Sequence, residues 1–434
     1  MIDISEIKEI PELSAILEFI EPNKKLHRMF WQCFANTLET TASIEGDGST
    51  YIITGDIPAM WLRDSSAQVN HYLEFAEYDQ TIRSVIEGLI KRQIEYILID
   101  PYANAFNRSP DGSGHAEDIT KMDPWIWERK YETDSLCYPM RLAYLYWRKT
   151  GNANIFDERF RKAISAIINV WKTEQNHRSL SEYRFERKNN NGDTLEDGGL
   201  GRSVGYTGMT WTGFRPSDDA CLYGYLVPSN MFASVILGYI ETIASEIFKD
   251  GEVSQTAKDL RTDIETGIEK FGTYLHQDHG RIYMYETDGY GSINLMDDAN
   301  VPSLLSIPYI GYRSGTDQIY INTRKFILSS SNPYYFSGKR ATGVGSPHTP
   351  EGHIWPISLI MQGLTSDDRN EIKNLFSTLL RTDDETGFIH ESFDCNDPGI
   401  YTRPWFAWAN SLFAEFVIRI YRNFPEILLS EVLV

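Results

Sequence analysis

LHRMFWQCFANTLETTASIEGDGSTYIITGDIPAMWLRDSSAQVNHYLEFA, residues 26–76, holds the pattern that decides the fold. Phe30, Phe34 and Leu38 share one face of a helix; Val69, Tyr72, Leu73 and Ala76 share the face of another. Between them lies a polar, glycine-bearing segment, 43–57, longer than an ordinary helix–helix connection. Upstream, Leu13, Ile16, Leu17 and Ile20 repeat the helical spacing. Downstream it returns near 81–99, 132–150, 155–174, 218–248, 254–275, 301–310, 318–330, 354–363, 366–381 and 404–422, giving about twelve helices. Long polar segments recur at 101–130, 184–217, 280–300, 332–353 and 383–403, one after every second helix. Short strands are expected in them, such as Tyr51–Ile53 and Arg281–Tyr285. A ring of helix hairpins sets such segments on one face, around a central cavity. The expected fold is therefore an all-α (α/α)6 barrel, or toroid, with long loops and short strands over the cleft face. It is expected as a single unit spanning 1–434, with a two-domain α protein as the alternative.

Lys and Arg number 41 against 61 Asp and Glu, a net charge of −20. This disfavours nucleic acid and anionic membrane as partners, because both are bound through a basic face. With 41% hydrophobic and 13% aromatic residues, the chain has ample apolar material to fold. The start, MIDISEIKEI, shows neither the basic nor the apolar region of a signal peptide. The apolar stretch Met231–Ile240 is too short to span a bilayer. Cys33, Cys137, Cys221 and Cys395 are far apart and form no zinc-like spacing. They are expected to be buried free thiols in a reducing compartment, which together with the missing signal predicts a cytoplasmic location.

Five stretches invite chemical interpretation. In TGDIPAMWLRDSSAQV, 54–69, Asp56 is expected to cap a helix with Pro58 in its early turn. Arg63 and Asp64 then follow Trp61 and Leu62, either as a structural ion pair or as a clamp on vicinal hydroxyls. In TGFRPSDDACLYGYLVPSNMFA, 212–233, Ser217, Asp218 and Asp219 are expected at a helix start. One of the three caps it; the spare carboxylate either stays solvated at the helix start or faces the cleft beside a like charge, which raises a carboxyl pKa as a general acid requires. In DDETGFIHESFD, 383–394, Glu391 follows His390 between aromatic Phe388 and Phe393, either as an exposed loop acid or, in a short apolar strand at the mouth of a long loop, as a general base. In NLMDDANVPS, 294–303, Asp297, Asp298 and Asn300 either grip hydroxyls or cap the next helix. In SPHTPEGHIWP, 346–356, His348 and His353 are five apart, and Pro347, Pro350 and Pro356 forbid a zinc-binding helix. The acidic pairs lack EF-hand spacing. GGLGRSVG, 198–205, lacks the lysine and preceding strand of a phosphate loop, so no metal, nucleotide or other cofactor is expected.

Taken together, these stretches resemble glycoside hydrolase family 125, bacterial and fungal exo-α-1,6-mannosidases. The matching segments are GDIPAMWLRDSSAQV, ETDSLCYPMRLAYLYW (132–147), TGFRPSDDA, PSNMFA, LMDDANVPSLLSIPY, SPHTPEGHIWPISLIMQGL, TGFIHESFD and YTRPWFAWANSLFAEF (401–416), in order over nearly the whole chain. The resemblance implies an (α/α)6 catalytic domain, metal independence and an inverting mechanism. It implies a general acid from the SDD motif, Asp218 rather than Asp219, and a general base, Glu391, from the HESF motif. Inversion requires carboxyls about 6.5–9.5 Å apart, to leave room for a water. Arg63, Asp64, His115, Asp297, Asp298, Asn300, His348 and His353 are expected to bind the sugar hydroxyls. Trp127 and Trp211 are expected to pack on sugar faces or in the core. The substrate implied is an α-mannoside oligosaccharide trimmed from an N-glycan or mannan. The alternatives are the same barrel acting on another linkage or hexose, and a catalytically inactive sugar-binding protein.

Overall fold

The computed structural model describes residues 2, 4–188 and 192–429. A first helix, α1 (Pro11–Ile20), precedes six helix hairpins. These pair α2 (Lys24–Asn36) with α3 (Leu62–Val69), α4 (Gln80–Ile99) with α5 (Thr133–Thr150), and α6 (Glu158–Glu174) with α7 (Val227–Ile243). They continue with α8 (Gly251–Phe271) and α9 (Ile307–Ile310), α10 (Gln318–Ile327) and α11 (Pro356–Leu364), and α12 (Arg369–Arg381) and α13 (Ala407–Asn423). The second helix of each hairpin belongs to an inner ring. There α13 packs on α11 and α3, α3 on α5, α5 on α7, and α7 on α9. The first helices form the outer layer, in which α4 packs on α6 and α6 on α8. This is the expected (α/α)6 toroid.

The two layers differ as their burial requires. Outer α12 buries Ile372, Leu375, Phe376, Leu379 and Leu380, one stripe at helical spacing, and leaves Arg369 and Lys373 in solvent. Inner α13 buries nearly every residue from Ala407 to Ile418, small and aromatic alike. One apolar cluster links the layers from Ile7 to Leu428. The helical run Val227–Phe248, 22 residues with a hydropathy of 1.4, is long and apolar enough to cross a membrane. The sequence suggested a shorter stretch, because Glu241 and Glu246 interrupt it. In the fold it lies between α5, α8 and α9, with Met231, Phe232, Ile236 and Ile240 fully buried.

Every long segment leads from an outer helix to an inner one, so all six gather at the N-terminal ends of the inner helices. The segments are stitched in pairs by three small antiparallel sheets. The first joins β1 (Met60–Trp61), β2 (Ala105–Phe106) and β3 (Ile126–Glu128). The second joins β4 (Tyr225–Leu226) to β5 (Glu286–Thr287) and β6 (Ile293–Asn294). The third joins β7 (His353–Ile354), β8 (Ser392–Asp394) and β9 (Tyr401–Thr402). In each sheet the first strand runs almost directly into an inner helix: β1 into α3, β4 into α7, β7 into α11.

Helix capping separates the layers sharply. All six outer helices begin at Asn23, Asp79, Asp157, Asp250, Asp317 or Asp368, whose own side chain accepts a first-turn backbone N–H. None of the inner N-cap residues, Trp61, Glu132, Leu226, Ser306, Trp355 and Phe406, caps its helix with its own side chain. The inner ring therefore turns six positive helix ends toward the segment face.

Two expectations fail here. Asp56 is exposed and caps nothing; its helix starts six residues later, at Leu62, out of β1. Residues 218–226 are not helical, because Phe214 and Ala220 bridge across a tight turn and α7 starts only after β4.

Gly363, on α11, sits at a close approach between inner helices. A Cβ there would meet the Phe416 ring of α13 at 2.4 Å, and Phe416 is fully buried. Gly363→Ala is expected to destabilise the fold by about 1–3 kcal/mol, the cost of overpacking a closed core. Thermal unfolding of the two proteins side by side checks this; an unchanged midpoint would mean that α11 and α13 can separate freely.

Candidate active site

At the N-terminal ends of the inner helices lies a recess enclosing about 410 Å³, open to solvent. Five of the six long segments line it. The first supplies Thr54, Ile57 and Trp61 and leads into Arg63 and Asp64 on α3; the third supplies Pro216, Ser217 and Asp218. The fourth contributes Asn300, the fifth His348 and Trp355. The sixth contributes Glu391, Arg403 and Phe406, with Trp408 just inside α13. Trp61, Trp355, Phe406 and Trp408 make the walls largely aromatic. The Trp61 indole N–H is buried without an acceptor among the described residues.

The floor is built on Arg63. Its side chain is 2% exposed, and four carboxylates surround it. Nη1 donates to Glu132 Oε2 at 2.5 Å and to Asp134 Oδ2 at 3.2 Å, Nη2 donates to Asp218 Oδ1 at 3.2 Å, and Asp64 Oδ2 lies 3.5 Å from Nε. A planar guanidinium presents five donors in one fixed fork, so it can meet several carboxylates spread around its plane. Asp64, Glu132 and Asp134 stand at the starts of α3 and α5, where the uncapped helix ends favour negative charge.

Asp218 sits at the tip of the 214–220 turn in the left-handed region, φ 69°, which Asp tolerates better than most side chains. Its N–H donates to the Arg215 carbonyl at 2.9 Å, and Arg215 N–H donates to the Asp219 carbonyl at 2.8 Å. The Lys130 ammonium donates to the Asp218 carbonyl at 2.7 Å, while Arg215 is pinned to Glu286 at 2.6 Å. The carboxyl is pulled two ways. Burial pushes it up, but Arg63, Lys130, a hydrogen bond from Glu132 and His348 outweigh this and hold it below the usual carboxylate range. Burial drives Asp64 the other way, to about 6, opposed by Arg63 and reinforced by Asp218.

Glu391 enters from the third sheet, directly before β8, and is 7% exposed. Its N–H donates to the Thr402 carbonyl at 3.3 Å, and Arg403 Nε lies 3.4 Å from its Oε1. Beneath it, Ser392 Oγ meets Thr402 Oγ1 at 2.7 Å and His353 Nδ1 at 3.0 Å. His353 therefore braces the strand carrying Glu391 and does not line the recess. His348 stands at the exposed rim, its Nδ1 3.1 Å from Asp219 Oδ1.

The structure thus brings Arg63, Asp64, Asp218, Asn300, His348 and Glu391 together in one recess. It does not bring the other expected residues there. Asp297 accepts backbone N–H groups of Leu304 and Leu305 at 2.8 and 3.0 Å and so fixes the turn before α9. Asp298 accepts both the N–H and the side-chain amide of Asn300 at 3.1 Å, aligning that residue from behind. Trp211 is buried against the His177 ring, 3.5 Å between centroids, as part of the core. Trp127 packs on the small cluster of Ala59, Trp61 and Ala105, behind the recess wall. His115 is exposed on the second segment, 3.7 Å from Glu128. Sequence reasoning missed Arg403, Phe406 and Trp408, although RPWFAW is a dense aromatic run beside a cation. It also missed Glu132 and Asp134, two acids at a helix start.

Comparison with known proteins agrees with this architecture. The family model of the metal-independent α-mannosidases, glycoside hydrolase family 125, matches residues 23–418. A solved structure from Streptococcus pneumoniae, of the metal-independent α-mannosidases and in a non-productive complex with α-1,6-mannobiose, is 47% identical. It covers 96% of this chain and 99% of its own, with a TM-score of 0.93. The meiotically up-regulated gene 157 protein of Schizosaccharomyces pombe is 40% identical over 430 residues, 94% of this chain and 84% of its own. A wild-type glycosidase 13% identical, covering 92% of this chain and 96% of its own with a TM-score of 0.55, shares the fold. The chain belongs to glycoside hydrolase family 125 and is a metal-independent α-mannosidase.

Proposed function

We propose that this enzyme removes terminal α-1,6-linked mannose from the non-reducing ends of oligosaccharides, with inversion, Asp218 acting as general acid and Glu391 as general base. The observation that carries the proposal is that these two carboxylates, distant in sequence, line the same small recess and are held by different machinery. Asp218 is anchored in the Arg63 network on the floor; Glu391 hangs from a strand beside Arg403. The α-1,6 linkage is supported by the mannobiose held by the Streptococcus pneumoniae relative. The four free cysteines, three of them buried, support the further proposal that it works in a reducing compartment such as the cytoplasm.

The geometry suggests how each group acts. Asp218 protonates the glycosidic oxygen as the bond to C1 breaks. A water attacks C1 from the other face and gives its proton to Glu391. The indole N–H of Trp61, without an acceptor among the described residues, and the recess-lining side chains of Asp64, Asn300 and His348 engage the ring hydroxyls, and the aromatic walls pack on the sugar's apolar face. Asp64 and the His348–Asp219 pair supply charged hydrogen bonds, the strong kind.

Asp218→Asn and Glu391→Gln are each expected to lower kcat on α-1,6-mannobiose by about 10²–10⁴-fold while changing KM little. Proton NMR of the first minutes of wild-type digestion is expected to show β-mannose. Early α-mannose would overturn inversion, and no cleavage at all would overturn the linkage.

His348 also leaves a mark on stability. Burial lowers its pKa, but the bond to Asp219 and the charges of Asp219, Asp218 and Glu391 outweigh this and raise it to about 9. A group raised on folding contributes stability fully below its unfolded value, ~6.5, and loses it as pH rises through about 9. The melting-temperature advantage of wild type over His348→Gln is therefore expected to be constant in mild acid and to fade between those values. An advantage that persists unchanged to high pH would show that His348 stabilises by packing alone.

A further inference from the structure

The floor of the recess holds more negative charge than its cations balance. Asp64, Glu132, Asp134 and Asp218 converge on the single Arg63 guanidinium. The other cations nearby are already engaged, Lys130 with Glu128 and Asp193, His348 with Asp219 and Arg403 with Glu391. Buried like charges this close do not all remain ionised; a proton must reside among them.

The hydrogen bonds say where. Asp134 has a donor for each oxygen, Arg63 on Oδ2 and Ser229 Oγ on Oδ1 at 3.3 Å. Asp218 Oδ1 receives Arg63 and, at 3.5 Å, Asn104 Nδ2. Glu132 Oε2 receives Arg63 and Ser135 Oγ at 2.6 Å. Glu132 Oε1, however, is fully buried and has no donor among the described residues. Glu132 Oε2 and Asp218 Oδ1 are held by the two terminal nitrogens of one guanidinium, at 2.5 and 3.2 Å, so the two carboxyls lie side by side and repel unless one carries a proton. An oxygen that no donor serves, beside a carboxylate, is where that proton belongs.

We infer that Glu132 and Asp218 hold one proton between them, and that Glu132 is the positioning residue that keeps the leaving-group acid loaded. The inference rests on Asp218 being the acid. The groups facing the pair are Arg63, Asp64 and Asp134 from α3 and α5, Lys130 before α5, Cys221 beyond the Asp218 turn, and His348 from the rim. Alone beside Arg63 and Lys130, Asp218 would stay an anion with no proton to give. Paired with Glu132, it draws on a proton that the excess negative charge retains. During cleavage the pair's proton passes to the leaving oxygen as the C1–O bond breaks. The attacking water bonds to C1 and its proton goes to Glu391. Afterwards the pair, now without a proton, is reloaded while Glu391 loses its own to solvent, so that one water is consumed per bond.

The test compares two leaving groups. Glu132→Gln keeps the size of the side chain but replaces the movable proton with a fixed amide donor, which locks Asp218 as an anion. It is expected to lower kcat on α-1,6-mannobiose by about 100-fold or more, yet to cost dinitrophenyl α-mannoside, whose leaving group needs no proton, less than about tenfold. Glu132→Asp, which can still share a proton, is expected to recover part of the mannobiose rate, with the alkaline limb of kcat/KM displaced toward lower pH. Equal losses on both substrates in Glu132→Gln, or near wild-type mannobiose turnover, would overturn the role of Glu132. If Glu132→Gln does not fold, the infrared band of a protonated carboxyl in wild type at neutral pH, and its absence from Glu132→Asp raised above the alkaline limb, decide in its place; no such band would overturn the inference. Asp218→Asn is run alongside: if it too loses both substrates equally, the assignment of the acid fails, independently of Glu132.

Discussion

Arg63 is the group on which the rest of the site depends. Its side chain is all but inaccessible, and it gathers acids from two inner helices and from the 214–220 turn. Removing it would leave three or four buried carboxylates without their cation, and breaking a single buried pair already costs about 3–5 kcal/mol. Lysine would not substitute, since one ammonium cannot present donors along three separate directions in a plane. The cation does more than neutralise charge. By holding Asp218 Oδ1 it fixes the carboxyl of a residue whose backbone, at a turn tip in the left-handed region, is held separately by the Arg215 carbonyl and Lys130.

That cation is held where it is by the toroid itself. Outer helices seal their own N-termini with Asn or Asp, so the polarity of the short connections is settled locally. Inner helices begin at Trp, Glu, Leu, Ser or Phe and leave their positive ends to be met by groups from other segments. Acids at the starts of α3 and α5 exploit this, each favoured by about 0.3–1 kcal/mol or more when partly buried. The recess lies at these ends because hairpin geometry sends all six long segments there, and the three small sheets lock neighbouring segments together.

The alternation of helices and long segments was legible because it is a periodic property, spread over many residues and insensitive to any single one. The recess lay at the predicted face for the same reason. What sequence could not resolve was which way individual side chains point. Asp297 and Asp298 look like ligands, yet their oxygens are taken by local backbone and by Asn300, a use that depends on a turn not visible in spacing. The SDD stretch looks like a helix start because Ser and Asp favour N-caps; the turn formed instead because a local antiparallel bridge between Phe214 and Ala220 and the Lys130 bond to a backbone carbonyl override that preference. Trp211 was ambiguous between sugar and core, and its stacking on His177, a contact distant in sequence, decides for the core. Glu132 escaped notice because nothing in a lone ETDS string shows that its carboxylate meets Arg63.

The two carboxylates proposed as acid and base live in opposed surroundings, the arrangement by which one fold can run both steps at one pH. Glu391 hangs from a strand edge near the mouth, with one arginine at 3.4 Å and a brace of hydroxyls beneath it. Asp218 is set in a network whose cations favour the anion, the wrong state for an acid. The apparent contradiction dissolves once the whole network is counted. A guanidinium strong enough to position Asp218 also depresses it, and the surplus of carboxylates around that guanidinium restores the proton that positioning would otherwise remove. The crowding of acids on Arg63 is therefore not redundancy: with fewer of them, the site would be better neutralised and a poorer acid.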